Sequence, residues 1–413
     1  MTEETRRALE ILGAQIALHQ ARLQVIAANW AELTVMTLDA TEKRYLAALR
    51  SGLDDFVFVA NTAGSIEKVR KLAAKLAAIR DVAFASALAE IEVQARELAE
   101  AETAWAAKLT RSLFEIPAGG EKPTPPKLAD VTSAKLDKVV KNGLAQGETI
   151  RQWYQQLAAE EAARVEAAIA DSLAAGKSIP EIARDIQGSA DADFKDGVLN
   201  VTRNSATRMA RTITNALANN AKDEFYKANS DVLAGVEILA TLDGRTCPVC
   251  AGVDRTRYKL GEPHPALPLH FNCRCVLLPV TPLSDAVPAT RPMARADFMA
   301  EAERMYKERY PRKDFAALAP STKEKYYYEA MKEYERRTGK SAYTEVPGSV
   351  SFRKYFTDYM SEGQRRDWLG PERYAIWKRG NLPLDDFIPP YPNPRLTVKA
   401  LRELDAADFP AGS

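Results

Sequence analysis

The chain has 413 residues, and its 57 lysines and arginines almost balance its 56 aspartates and glutamates, so its formal net charge is +1. This length predicts two or three domains, and the near neutrality excludes a protein whose whole surface binds nucleic acid. No run of about 18 apolar residues occurs, so the sequence predicts no membrane-spanning helix. The first residues lack the apolar core of a signal peptide, so we expect a soluble, intracellular protein.

The front of the chain is predicted to consist of long helices. The first 116 residues contain no proline, whereas 18 of the 23 prolines lie beyond residue 240, and proline disrupts a helix interior. Apolar residues recur at steps of three and four, which is typical of a helix–helix seam. The first such run comprises Leu9, Leu12, Ile16, His19, Leu23, Ile26, Trp30 and Leu33. We predict a long helical hairpin over residues 1–116, or a seam that receives a partner helix, with His19 as a buried, hydrogen-bonded core residue.

A linker and a compact helical block follow. Residues 117–130 are rich in proline and glycine, which predicts a linker. A later helix carries apolar residues at every fourth position over 209–225, with Arg203, Arg208 and Arg211 on or near its first half. These arginines are candidate contacts to nucleic acid or to an acidic partner, and local ion pairs on a solvated face are the alternative.

All four cysteines lie in one short window together with two of the three histidines. The spacing is C-x2-C followed by H-x2-C-x-C, which supplies more soft ligands than the four that a tetrahedral zinc ion needs. Disulfides are the alternative, but they need an oxidising compartment. We predict a structural zinc site, because a surplus of ligands implies no open position for catalysis. The preferred ligands are Cys247, Cys250, His270 and Cys273, with Cys275 as the substitute and His264 as a loop residue.

Short strands are predicted on either side of this window. Gly235–Thr241 and Val276–Val280 have the apolar patterns of strands, so a metal would staple a strand–loop–strand unit against the preceding helix and supply its folding free energy. Asp243 and Arg245 flank the first cysteine pair. They either orient the ligand loop from behind the ligands or belong to an ordinary Asp-Gly turn.

Beyond residue 285 the pattern returns to helices, with clustered aromatic residues and a proline-rich segment over 389–394 that is predicted to be extended. Residues 286–413 contain no histidine or cysteine, and we recognise no catalytic constellation there. The predicted fold class is mainly α. It comprises a long-helix hairpin (1–116), a linker (117–130), a central helical domain with the zinc-stapled unit (131–285) and a helical C-terminal region with an extended proline-rich tail (286–413).

Three segments together carry a resemblance to a known family. They are the arginine-led helix over 210–221, the D-x-R-T-x-x-x-C motif that begins at Asp243 and closes at Cys250, and the P-x-H-x-N-C-R motif over 268–274. In this order and spacing they resemble the head-morphogenesis, or minor head, proteins of tailed phages that are named after protein F of phage Mu. The resemblance covers roughly residues 130 to 280.

The resemblance implies a non-enzymatic minor capsid protein inside the phage head near the portal, made in the host cytoplasm. Its implied partners are the portal protein, other head proteins and packaged DNA bound without sequence specificity, and no membrane takes part in assembly. The resemblance implies a role in head assembly and in DNA packaging or delivery. Two alternatives stay open. One is a zinc-knuckle nucleic-acid-binding protein that acts outside virions, and the other is a zinc hydrolase or nuclease that uses His270 or a nearby carboxylate such as Asp243 or Asp254.

Overall fold

The computed structural model describes residues 3–54, 62–116, 124–142, 147–192, 194–281, 290–294, 298–311, 313–315, 317–318, 320–338, 343–347, 350–380 and 383–388. The helices are α1 (Glu3–Asp39), α2 (Glu42–Asp54), α3 (Ala63–Phe114), α4 (Ser133–Asn142), α5 (Ile150–Ala174), α6 (Ile179–Gln187), α7 (Val198–Ala228), α8 (Pro248–Val253), α9 (Met299–Arg309), α10 (Pro320–Thr338), α11 (Phe352–Lys354), α12 (Glu362–Leu369) and α13 (Pro371–Gly380). The strands are β1 (Gly235–Leu239), β2 (Arg257–Lys259), β3 (Val276–Val280), β4 (Thr290–Ala294) and β5 (Tyr343–Pro347).

The described residues are mainly helical, which confirms the predicted fold class. The proline-rich segment over 389–394 lies outside the described residues, as do residues 117–123 of the predicted linker. None of the described helices carries an apolar stretch that could span a lipid bilayer.

The long N-terminal helices pack on the central helices of the same chain. Helix α1 contacts α7 and α3, and α3 contacts α5 and α7. One apolar core contains Trp30 of α1, Phe84 of α3, Trp153 of α5 and Ile213 of α7. Within the chain, the seam predicted on α1 is therefore covered by α3 and α7. The predicted division at residues 116 and 131 stays a prediction.

Helix α3 runs for 52 residues, about 78 Å at 1.5 Å per residue. It begins at Thr62, whose side chain accepts a hydrogen bond from the Ser65 N–H, and no proline or internal glycine interrupts it after its first turn. Its buried positions recur every three or four residues, from Val69 to Leu109. This spacing lets one helix face α2 at its beginning and α7 further along.

Two buried ion pairs connect the N-terminal helices to the centre. The guanidinium of Arg80 donates to both carboxylate oxygens of Glu161 at 2.6 and 3.2 Å and to the Leu38 carbonyl at 2.6 Å. Further along α3, Glu102 contacts His19 at 2.8 Å and Lys222 at 3.3 Å. Lys222 is fully buried, so its charge depends on this carboxylate.

His19 lies largely buried between helices, as the sequence predicts, and its imidazole nitrogen is within ion-pair distance of a carboxylate. Its imidazole stacks on the Trp105 ring with centroids 4.0 Å apart, and its Nε2 lies 2.8 Å from Glu102 Oε1. The side chain is only 14% exposed. The Lys222 ammonium lies 5.4 Å from the same Trp105 ring, so three helices meet at this cluster.

The central sheet has three antiparallel strands in the order β2-β1-β3, with Ile238 opposite Leu277 and Val236 opposite Tyr258. A Cβ at Gly235 would lie 2.3 Å from the Tyr258 carbonyl oxygen, so this position requires glycine. Strands β1 and β3 were predicted from the sequence. Strand β2 was not, because three residues of mixed polarity give no periodic signal.

The C-terminal part packs on the back of the central unit. Leu242 and Ala251 share a core with Phe352, Phe356 and other residues of 350–388. Helices α9 and α10 form a second aromatic cluster, and strands β4 and β5 pair with each other. The predicted boundary at residue 285 likewise stays a prediction.

We predict that Arg80→Met destabilises the fold by about 3–5 kcal/mol, because it leaves the Glu161 carboxylate buried without a counter-charge. The double variant Arg80→Met/Glu161→Leu should recover part of the loss, since both charges are then removed. Urea unfolding followed by circular dichroism measures the difference. Arg70→Met is the control, because it breaks only exposed contacts, with Glu67 and Glu166, and should cost less than about 1 kcal/mol. Equal losses in the two single variants would contradict the prediction.

Candidate metal centre

The first half of the site is a tight turn at the start of α8. Cys247 caps this short helix, and its Sγ accepts a hydrogen bond from the Cys250 N–H at 3.4 Å. Pro248 follows at the first helical position, where its missing N–H is not needed. One helical turn therefore brings the two thiols of the C-x2-C motif to the same side.

The second half is the turn that leads into β3. The Cys273 N–H donates to the His270 carbonyl at 3.1 Å, and Asn272 adopts a left-handed backbone with φ of 59°. The Asn272 N–H donates to the Thr212 hydroxyl of α7 at 3.2 Å. This turn aims Cys273 and Cys275 toward the first half of the site, and both thiols are buried.

The structure brings all five predicted ligands together in two overlapping groups. One group is Cys247, Cys250 and His270, the other is Cys250, Cys273 and Cys275, and within each group the donor atoms lie within 4.8 Å of one another. The Cys250 and Cys273 sulfurs are 3.8 Å apart, which matches the separation of about 3.8 Å between sulfurs around a tetrahedral zinc with bonds of about 2.3 Å. His270 Nε2 lies 2.9 Å from Cys250 Sγ and 3.1 Å from Cys247 Sγ. All four cysteines are free thiols.

The imidazole of His270 is held with one nitrogen toward the thiols. Its Nδ1 lies 2.7 Å from the Phe271 carbonyl oxygen, so Nδ1 carries a proton and donates it there. In the neutral ring this fixes Nε2 as the free acceptor, which is the state in which histidine binds a metal.

The pKa values of neighbouring groups in the cluster shift in opposite directions, because these groups share protons through hydrogen bonds. A hydrogen bond from Cys250, opposed by burial and aided by His270, lowers the pKa of Cys247 to about 4. Hydrogen bonds with the other thiols lower the pKa of Cys273 and raise that of Cys250. Burial disfavours the His270 imidazolium, but contacts with Cys247 and Cys273 outweigh it and raise its pKa to about 10. A divalent cation would relieve this competition, because thiolates are its natural ligands.

Asp243 ties the two halves of the site together from behind the ligands. Its carboxylate, 1% exposed, accepts hydrogen bonds from both terminal nitrogens of Arg274 at 2.5 and 2.8 Å and from the Arg245 N–H at 2.9 Å. Burial opposes its ionisation, but Arg274 and Arg245 hold the pKa of this carboxyl well below its usual range. Arg245 also lies 5.7 Å from the Tyr327 ring of α10. Both supporting residues named from the sequence are thus at the site.

Arg274 is a supporting residue that the sequence analysis missed. It stands between two predicted ligands in the C-x-C motif, and this position could have indicated that its side chain supports the site. Two asparagines of α7 were missed as well. The side-chain amides of Asn215 and Asn219 donate to the Cys275 carbonyl at 3.2 Å each, and Asn219 Oδ1 accepts from the Leu277 N–H at 2.8 Å. Their spacing of four residues on the buried face of the helix gave the signal.

Asp254 connects the site to the C-terminal part of the chain. One of its oxygens accepts from the Ala240 N–H at 2.9 Å and the other from the Phe352 N–H at 2.8 Å. The Trp368 indole N–H donates to the Thr246 carbonyl, next to the first ligand. The elements over 350–388 therefore pack beside the metal centre and hydrogen-bond to its loop.

The arginines flagged on α7 have partners within the chain. Arg203 contacts Asp39 at 2.7 Å and Glu42 at 2.6 Å, and Arg208 donates to the Ser205 hydroxyl at 3.1 Å. Arg211 also takes part in an interaction within the chain. The structure thus gives Arg203 the ion-pair role that was the alternative, while a contact of these arginines with another molecule stays a prediction.

His264 is a loop residue, as predicted, and it lies away from the thiol cluster. Its Nε2 lies 3.2 Å from Asp223 Oδ1 and its Nδ1 lies 3.2 Å from the Pro265 carbonyl oxygen. The hydrogen bond with Asp223 raises the pKa of His264. This contact pins the loop before the second half of the site to α7.

Residues 134–278 match the family described as Phage Mu protein F like protein. The matched segment contains all five predicted ligands and most of the elements from α4 to β3. The match confirms, over this segment, the resemblance that the sequence motifs indicate. No curated protein and no solved structure gives a significant match to the chain.

We predict that Asp243→Asn destabilises the central unit by about 2–3 kcal/mol at neutral pH, because it removes charge-assisted hydrogen bonds to Arg274. The pKa of Asp243 is depressed, so its contribution is complete above the ordinary aspartate pKa of about 3.9 and is lost as the pH falls through its folded value. Unfolding measured from pH 7 down to pH 3 should therefore show a difference that shrinks only at the acid end. Asp385→Asn, which breaks an exposed contact with Arg353, is the control and should change stability by less than about 1 kcal/mol. A loss no larger than the control's would contradict the role of Asp243.

Proposed function

We propose that this chain is a minor capsid protein of a tailed phage or prophage that helps to build the head. In this proposal it lies inside the head near the portal vertex and assists DNA packaging or delivery. The observation that carries the proposal is the family match over 134–278, which spans the complete Cys/His cluster. The proposed partners are the portal protein, other head proteins and packaged DNA.

The arrangement around the cluster supports a structural role. A metal hydrolase needs an open coordination position and a general base within reach. Here Asp243 is held by two arginines, and both oxygens of Asp254 accept backbone N–H groups. Five donors are available for the four positions of a tetrahedral ion. We therefore propose that the protein is not an enzyme.

The cluster suits zinc as a structural ion. Four thiols and one imidazole nitrogen form a soft donor set, which favours zinc over magnesium or calcium. Cys250 lies in both groups of donors, so we expect it to be a ligand whichever other residues complete the set. The bound ion would join the turn at α8 to the turn before β3. Cys247, Cys250, His270 and Cys273 remain the preferred ligands, with Cys275 as the substitute.

Particle composition tests the proposed role. Particles from an induced lysate of the source strain are purified on a density gradient and analysed by quantitative mass spectrometry. We expect the chain to co-sediment with full and empty heads at a few to a few tens of copies per portal ring. Detection only in the soluble fraction would contradict the role in the head, and would favour a nucleic-acid-binding protein that acts outside virions.

We predict one zinc ion per purified chain, and we predict that Cys250→Ser abolishes zinc binding and lowers the melting temperature far more than His19→Gln does. A lost ligand uncouples metal binding from folding, whereas glutamine can still hydrogen-bond to Glu102. Elemental analysis gives the zinc content, and thermal denaturation with and without a chelator gives the stability.

His264→Gln is a second control, since His264 lies outside both donor groups and should leave the zinc content unchanged. Equal melting temperatures for the unchanged chain and Cys250→Ser in the presence of zinc would overturn the structural-zinc proposal. Comparing Cys247→Ser with Cys275→Ser then identifies the fourth ligand.

A further inference from the structure

The charges of the long helix α3 are strongly polarised. Residues 63–80 contain four exposed lysines and arginines and one exposed carboxylate, Glu67, which contacts Arg70 and Lys71; the fifth cation, Arg80, is buried against Glu161. Residues 81–114 contain six carboxylates and three basic residues. Lys68, Lys71 and Lys75 are all exposed at the basic end. The N-terminus of α3 adds the positive end of the helix dipole there. One end of this helix, about 78 Å long, therefore presents an excess of positive charge.

Helix α2 packs against this basic end and adds three more cations. Leu49 and Leu53 of α2 share a core with Val69 and Leu72 of α3. On its outer side α2 carries Lys43, Arg44 and Arg50, all exposed. Among the residues that the structure describes, no carboxylate contacts any of these three. Lys43 and Arg50 are seven residues apart, so they lie on one side of the helix with about 10 Å between them along the axis.

The carboxylate that could neutralise the start of α2 is engaged elsewhere. Glu42 Oε2 accepts from Arg203 of α7 at 2.6 Å, and its other oxygen accepts from the Gln187 amide at 2.9 Å. On the buried side of α2, the Tyr45 ring lies 5.5 Å from the Arg80 guanidinium of α3. Among the described residues, the three cations on the outer side of α2 therefore have no carboxylate partner, while the opposite side of the helix packs on α3.

We propose that this α2 face, with the basic start of α3, binds the phosphate backbone of double-stranded DNA. The inference deepens the proposed function, because it assigns DNA contact to a surface outside the family-matched segment. Protein interfaces are centred on apolar and aromatic residues, whereas α2 has no exposed large apolar side chain and the start of α3 exposes one, Ile66. A group of lysines and arginines with so little exposed apolar surface suits a uniform polyanion, which is bound without reading its sequence.

Fluorescence anisotropy of the full chain with a labelled 30-base-pair duplex, from 50 to 200 mM NaCl, tests the proposal. We expect salt-dependent binding by the unchanged chain. The triple variant Lys43→Gln/Arg44→Gln/Arg50→Gln should lower the slope of log K against log salt by between about 2 and 3 and weaken binding about tenfold or more at 100 mM. Glutamine has nearly the helix propensity of lysine and arginine, so α2 should persist.

The matched control removes the same net charge from exposed positions elsewhere: Lys108→Gln/Lys138→Gln/Lys141→Gln. It should bind the duplex like the unchanged chain. Equal weakening in both triple variants would mean that net charge alone matters, and would overturn the proposal. Absence of salt-dependent binding by the unchanged chain would overturn it too, and would point to an acidic protein as the partner of α2. Absence of the chain from particles would contradict only the proposed function, since duplex binding is measured with purified protein.

Discussion

The central unit depends on the convergence of soft donors at Cys250. Between β1 and β3 the chain makes only a short helix and a three-residue strand, so it forms little regular structure of its own. Fixing such a loop in one conformation costs a large amount of conformational entropy. The Cys250 thiol contacts donors from both halves of the loop, while Asp243 and Arg274 join the same halves by charge. The structure thus places these cross-links where regular secondary structure is sparse.

Helix α7 carries this unit and connects it to the rest of the molecule. Its Asn219 holds the backbone that leaves the site, and its Lys222 is buried against Glu102 of α3. Glu102 lies outside the family-matched range, so a charge inside that segment is neutralised from outside it. A buried ammonium without a counter-charge is costly. The N-terminal helices therefore supply a counter-charge to the fold around α7.

The sequence predicted the features that depend on local spacing. The helical seam, strands β1 and β3 and the five donors all repeat or cluster within a few residues, and the structure has them. It did not reveal pairings between distant positions, such as Asn215 with Cys275, Asp254 with Phe352 or Arg203 with Asp39. These pairs are 60, 98 and 164 residues apart. A single sequence gives polarity and period, but the partner of a buried polar group is decided only by the packing of whole helices.

The balance of charges shows why net charge describes this protein poorly. Its +1 excludes a wholly basic surface, yet several carboxylates face inward, where Glu161 neutralises Arg80 and Glu102 neutralises Lys222. Each of these buried pairs removes one charge of each sign from the surface, so the sign of a surface region depends on where the remaining charged side chains lie. Glu42 pairs with Arg203 of α7, so its carboxylate does not neutralise the neighbouring, exposed Lys43. A nearly neutral chain can therefore present a cationic face, because the fold distributes its acidic and basic side chains unevenly over the surface.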